Sequence, residues 1–87
     1  PFEALTLASI IEKEAGNDQE RAQISGVFQR RMLRNMRLQA DPTVIYGLKN
    51  AYLGSITKEN LQSDNNPYNT YRHAGLPPGP IALPGIK

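Results

Sequence analysis

Glu3 to Met32 reads EALTLASIIEKEAGNDQERAQISGVFQRRM, and the spacing within this stretch predicts two consecutive helices. The first runs from about Glu3 to Ala15. Gly16 is expected to stop it, because glycine readily takes the left-handed conformation found at many helix ends. Asn17 then opens a second helix, over about residues 18–35, with Glu20 three residues on in a capping-box-like pattern. Ile24, Val27, Phe28 and Met32 recur at spacings of three and four, which predicts one buried stripe on that helix.

Working outward, Leu38-Gln39-Ala40 reads as extended. Asp41-Pro42 opens a short third helix through about Leu48, with Asp41 as cap and Pro42 in the first helical position. Thr57 caps a short turn over 58–62, with Asn60 where a capping box favours Glu or Gln. From Ser63 the run Ser-Asp-Asn-Asn-Pro is loop chemistry. Five of the seven prolines fall in the last 21 residues, beside Gly75, Gly79 and Gly85, so residues 63–87 are expected to be irregular. The expectation is a mainly α chain with a few residues of strand at most.

At 87 residues this is one small domain or a piece of one, with hydrophobic and charged fractions of 39% and 21% that exclude a disordered tail. The chain lacks cysteine, which excludes disulfides, zinc-thiolate sites and thiol nucleophiles. A net charge of +2 is a weak lean toward anionic partners. Apolar runs are too short for a membrane span or signal peptide. The start at Pro1 and the end at Lys87 read as those of a fragment.

On a wheel of about 100° per residue, Ala4, Leu7, Ile10 and Ile11 of the first helix share one arc. Glu14 falls within the same arc, while Glu12 and Lys13 point away. A carboxylate that ends an apolar face must be paired, hydrogen-bonded or protonated. Desolvation raises its pKa, which suits a general acid near neutral pH. The alternative is a helix-end glutamate that reaches solvent or pairs with an arginine. On the second helix Arg31 falls on the apolar side, with Asp41 its preferred partner over Glu14. Arg30, Arg34 and Arg37 form an outward stripe, read as a solvated face.

Three blocks now carry a family resemblance. Leu7-Ala-Ser-Ile-Ile-Glu-Lys-Glu14, Met36-Arg-Leu-Gln-Ala-Asp-Pro-Thr-Val-Ile-Tyr-Gly47, and Tyr68-Asn-Thr-Tyr71 followed by Gly75-Leu-Pro-Pro-Gly-Pro-Ile81 together resemble the endolytic murein transglycosylases of the MltG or YceG-like family. Some members of that family have carried the label aminodeoxychorismate lyase. The resemblance implies part of an α+β, lysozyme-like catalytic domain at the extracytoplasmic face of the bacterial plasma membrane. Upstream membrane-anchor and LysM-like parts, and further catalytic-domain residues downstream, lie outside this chain. It further implies cleavage of peptidoglycan glycan strands between N-acetylmuramic acid and N-acetylglucosamine, forming a 1,6-anhydro end. The family's catalytic glutamate corresponds to Glu14, acting first as acid and then as base. Partners are the glycan strands and cell-wall synthesis machinery. No cofactor or metal is expected.

Within that resemblance Gln39 and Asn69 offer amides to hydroxyl and acetamido groups. Tyr46 and Tyr71 offer flat faces to a pyranose ring, and Asp41 is either a sugar contact or simply a helix cap. Tyr46 is equally readable as core, and His73 reads as a bystander. Gly75 to Pro80 reads as a rigid rim. Three other readings stay open. One is a muramidase-type hydrolase with Asp41 as second carboxylate. Another is a small-molecule lyase, for which Lys13 is badly placed and no phosphate-cradling loop is present. The last is a basic nucleic-acid-binding module, which leaves the Tyr68–Tyr71 loop unexplained, so nucleic acid is not an expected partner.

Overall fold

The computed structural model describes residues 1–81; the part of the expected irregular segment on 82–87 lies outside the described residues. Helices α1 (Phe2–Glu14), α2 (Asp18–Leu33), α3 (Asp41–Leu48) and α4 (Lys58–Gln62) follow in order, with a 3-10 turn at Lys49–Ala51 after α3. Residues 63–81 are irregular, as expected, and no strand occurs among the described residues. Among the described residues the fold is helical, in keeping with the mainly α expectation.

Each helix end has a local cause. Asn17 Oδ1 accepts the Glu20 N–H at 2.9 Å and starts α2. Gly16 does not stop α1 in the expected way: Ala15, extended at φ −86° and ψ 138°, caps α1, and Gly16 is not left-handed. Its N–H instead donates to Glu20 Oε1 at 2.7 Å. The left-handed residue that closes α2 is Asn35, at φ 56°, after which the Met36 N–H returns to the Arg31 carbonyl at 2.8 Å. Thr57 and Asn60 exchange both capping-box hydrogen bonds, so the shorter asparagine serves in place of glutamate.

The core gathers Ile10 and Ile11 of α1, Phe28 of α2, and Leu38, Ala40 and Ile81 from the connections. On α1 the buried stripe is Thr6, Ser9, Ile10 and Ile11, whereas Ala4 is exposed. The two hydroxyls are tolerated because each has a nearby carbonyl acceptor, Phe2 for Thr6 at 2.9 Å and Thr6 for Ser9 at 2.6 Å. Ser9 Oγ also accepts the Ile81 N–H at 3.0 Å, which draws the Pro-rich segment back across α1. On the outer side of the α1–α2 pair, Arg21 bridges Glu12 of α1 at 2.9 Å and Asp18 of its own helix.

Candidate active site

Glu14 is the last residue of α1, where the inner face of the helix runs past the core. There it borders a hollow of about 380 Å³ with Gln23, Ile24, Val27, Phe28 and Arg31 of α2, and Leu38 and Gln39. Three of the four residues of the apolar stripe read on α2 thus line a cleft, where Val27 is exposed and Ile24 only partly buried. Glu14 itself is exposed, so the sequence expectation of a core-facing carboxylate is corrected to one at a cleft edge. Partial burial pushes its pKa above the ordinary 4.5, and the charge of Asp41 pushes it the same way.

Asp41 is the first residue of α3 rather than its cap. The cap position belongs to Ala40, and no side chain caps this helix. The Asp41 carboxylate is instead held by Tyr71, whose hydroxyl donates to Oδ1 at 2.5 Å. That bond, with burial and the nearby charges of Asp41 and Glu14, drives the Tyr71 phenol up to about 12. Arg31 faces inward as expected but does not pair with Asp41. Its Nη1 donates to the Leu38 carbonyl at 2.7 Å, because the chain reversal after α2 leaves that carbonyl pointing at the guanidinium. It still lies close enough for its positive charge to act on Tyr71.

The loop carrying Tyr71 is built on three side chains. Asn66 Nδ2 donates to the Val44 carbonyl at 3.1 Å while its Oδ1 accepts the Tyr68 N–H at 3.0 Å. Asn69, fully buried, donates to the carbonyls of Asn60, Leu61 and Ser63 and accepts the Tyr71 N–H. Its amide serves as the clasp between α4 and the loop, which removes it from the expected sugar contacts. Thr70 Oγ1 accepts the Ala40 N–H at 2.9 Å, and its carbonyl accepts the Gln39 N–H at 3.2 Å. Sequence reasoning passed over Thr70 and Thr43. The available signal was Thr43 three residues after Ala40, the spacing at which a threonine returns to a backbone carbonyl. His73 rests its Nε2 against the Asp64 carbonyl at 3.0 Å, beside the Arg72–Asp64 ion pair.

Gln39 and Tyr46 line different hollows. Gln39 lines the Glu14 hollow with its backbone at φ 55°, a strained conformation for a residue with a side chain. Tyr46, 42% exposed, lines a second hollow of about 390 Å³ with Lys13, Pro42, Ile45 and Ile81. Its ring packs at 4.9 Å from that of Tyr68, tilted by 54°. Tyr46 is thus surface rather than core.

This arrangement offers a carboxyl with raised proton affinity at the mouth of an apolar-walled cleft, beside a second carboxylate held by a phenol. Such a group can give a proton to a ligand oxygen and take one back. No group of three His, Cys, Asp or Glu side chains suited to a metal occurs among the described residues.

The YceG-like family model matches residues 1–87. Over 83 residues, 95% of the chain, it is 44% identical to the endolytic murein transglycosylase of Bacillus subtilis, and over 87 residues 37% identical to that of Streptococcus pneumoniae. These matches span only 22% and 16% of the two relatives. A crystal structure of a yceG-like protein from Listeria monocytogenes superposes with a TM-score of 0.85 at 48% identity, covering 97% of this chain and 27% of that one. With a family match across its whole length, the chain belongs to the YceG-like family.

Proposed function

We propose that this chain is part of the catalytic domain of a peptidoglycan lytic transglycosylase in which Glu14 is first the general acid and then the general base. The whole domain, of which this helical part forms one wall, would be the α+β, lysozyme-like unit of an enzyme anchored at the outer face of the plasma membrane. The observation that carries the reading is the Glu14 carboxyl at the cleft edge, its proton affinity raised by partial burial and by the charge of Asp41.

The chemistry balances with one acid. Protonated Glu14 gives its proton to the glycosidic oxygen as the bond from the muramoyl C1 breaks, and N-acetylglucosamine leaves with a free hydroxyl. The substrate's own acetamido oxygen meets the charge developing at C1. Ionised Glu14 then takes the proton of the muramoyl C6 hydroxyl as that oxygen bonds to C1. Water is neither consumed nor released. In this reading the Gln39 amide, which lines the Glu14 hollow, meets a sugar hydroxyl, and Tyr46, which lines the second hollow, offers its ring to a pyranose.

A hydrolase would need the second carboxylate free to activate water. The hydrogen bond from Tyr71 to Asp41 disfavours that reading. Digestion of purified murein by the full-length protein in 18O-labelled water tests the choice. Transglycosylation yields 1,6-anhydro ends one water lighter than reducing ends, with no label. Labelled reducing ends would refute it.

A further inference from the structure

Tyr71 can serve this site in two ways, by offering its ring face to a sugar or by using its hydroxyl on a neighbour. We propose that Tyr71 is a positioning residue: its hydroxyl holds the Asp41 carboxylate in one place at the start of α3, on the Glu14 side of the site, rather than letting it turn to solvent. This rests on the reading of Glu14 as the acid, although it concerns different residues.

The geometry supports the hydroxyl. Tyr71 Oη and Asp41 Oδ1 meet at 2.5 Å across 30 residues of sequence. Both ends of that bond are anchored. Tyr71 follows Thr70, which is bound to Ala40 and Thr43, and its own N–H is held by Asn69 Oδ1 at 3.0 Å. Asp41 directly follows Ala40, so the Thr70 contact sets the distance between phenol and carboxylate. Asp41 has no salt-bridge partner among the described residues, since Arg31, the near cation, donates to the Leu38 carbonyl. Asp41 is exposed, and without a donor its carboxylate could turn to solvent. Tyr71 is the restraint that prevents this.

The charged and titratable groups around Glu14 are few. Arg31 faces the hollow from α2, Asp41 approaches from α3 and Tyr71 from the loop, while Lys13 on α1 borders the other hollow. A carboxylate held close to Glu14 makes ionisation of the acid harder, and one that swings away does not.

The test uses the full-length protein with carboxyl-13C glutamate, the Glu14 resonance being assigned by its loss in Glu14→Gln. Its titration midpoint and the pH–rate profile are followed in the wild type, Tyr71→Phe, Asp41→Asn and the double variant. Both single variants should lower the Glu14 midpoint and move the high-pH limb of activity to lower pH. In each variant the limb should move by as much as the Glu14 midpoint moves. The double variant should match Asp41→Asn alone, because Tyr71 acts through Asp41. An unmoved Glu14 midpoint in Tyr71→Phe, or additive shifts in the double variant, would overturn the proposal. A sugar platform would instead leave Tyr71→Phe unchanged and raise KM in Tyr71→Ala. If the midpoint moves while Glu14→Gln remains fully active, the clamp stands and the acid assignment fails. A fixed midpoint with an inactive Glu14→Gln sinks the clamp alone.

Discussion

Thr70 Oγ1 accepts the backbone N–H of Ala40 at 2.9 Å, and a second hydrogen bond, to Thr43 Oγ1, has the same length. This buried contact brings the Tyr71 loop onto the start of α3, and so brings Tyr71 to Asp41. Thr70→Val keeps the shape but leaves a buried N–H without an acceptor. It should cost about 1–3 kcal/mol in urea unfolding, whereas Thr70→Ser should recover most of that.

Gly47 shows a second close approach. A Cβ there would stand 1.8 Å from Asn66 Oδ1, so Gly47→Ala must displace the amide that bridges Val44 and Tyr68. The expected loss is on the order of 2–3 kcal/mol by thermal or urea unfolding. Adding Asn66→Ala to it should cost less than the sum of the two single changes, since the clash is then gone.

Asn69→Ala removes the donor to three carbonyls and the acceptor of the Tyr71 N–H. It should destabilise the protein by roughly 2–4 kcal/mol. In the fraction that remains folded, KM for glycan should be unchanged, which separates a clasp from a sugar contact.

Glu14 makes the stability of the folded chain depend on pH in a definite sense. Its folded pKa lies above the ordinary 4.5, so between the two values the folded state binds more protons than the unfolded state. Its contribution is therefore full below the ordinary value and is lost as pH rises through the folded one. Glu14→Gln should melt higher than wild type at pH 7, and the gap should close below about pH 4. Calorimetry across that range checks the sign.

The helices were readable because their ends are local. Asn17 and Thr57 cap through side chains three residues from their donors, and this shows in the residue order. Gly16 and Asp41 were misplaced by one mechanism each: an extended Ala15 ends α1, and Ala40 rather than Asp41 caps α3. Periodicity says that Ile24, Val27 and Phe28 share a face, but not whether a helix or an open cleft stands opposite. The residue order alone therefore makes the Glu14 wall look like core. An asparagine carries the same donors and acceptor for a sugar as for a backbone carbonyl, so Asn69 could be assigned only once its burial was known. Thr6 and Ser9 escaped notice as core because polar residues that satisfy themselves within a helix break the apolar pattern.

The most direct test compares the rates at which full-length wild type and Glu14→Gln form 1,6-anhydro ends on purified murein, with circular dichroism confirming that both are folded. Loss of a positioned acid should lower that rate by about 10²–10⁴-fold. A variant that cuts within about threefold of wild type would show that proton transfer in this cleft does not pass through Glu14.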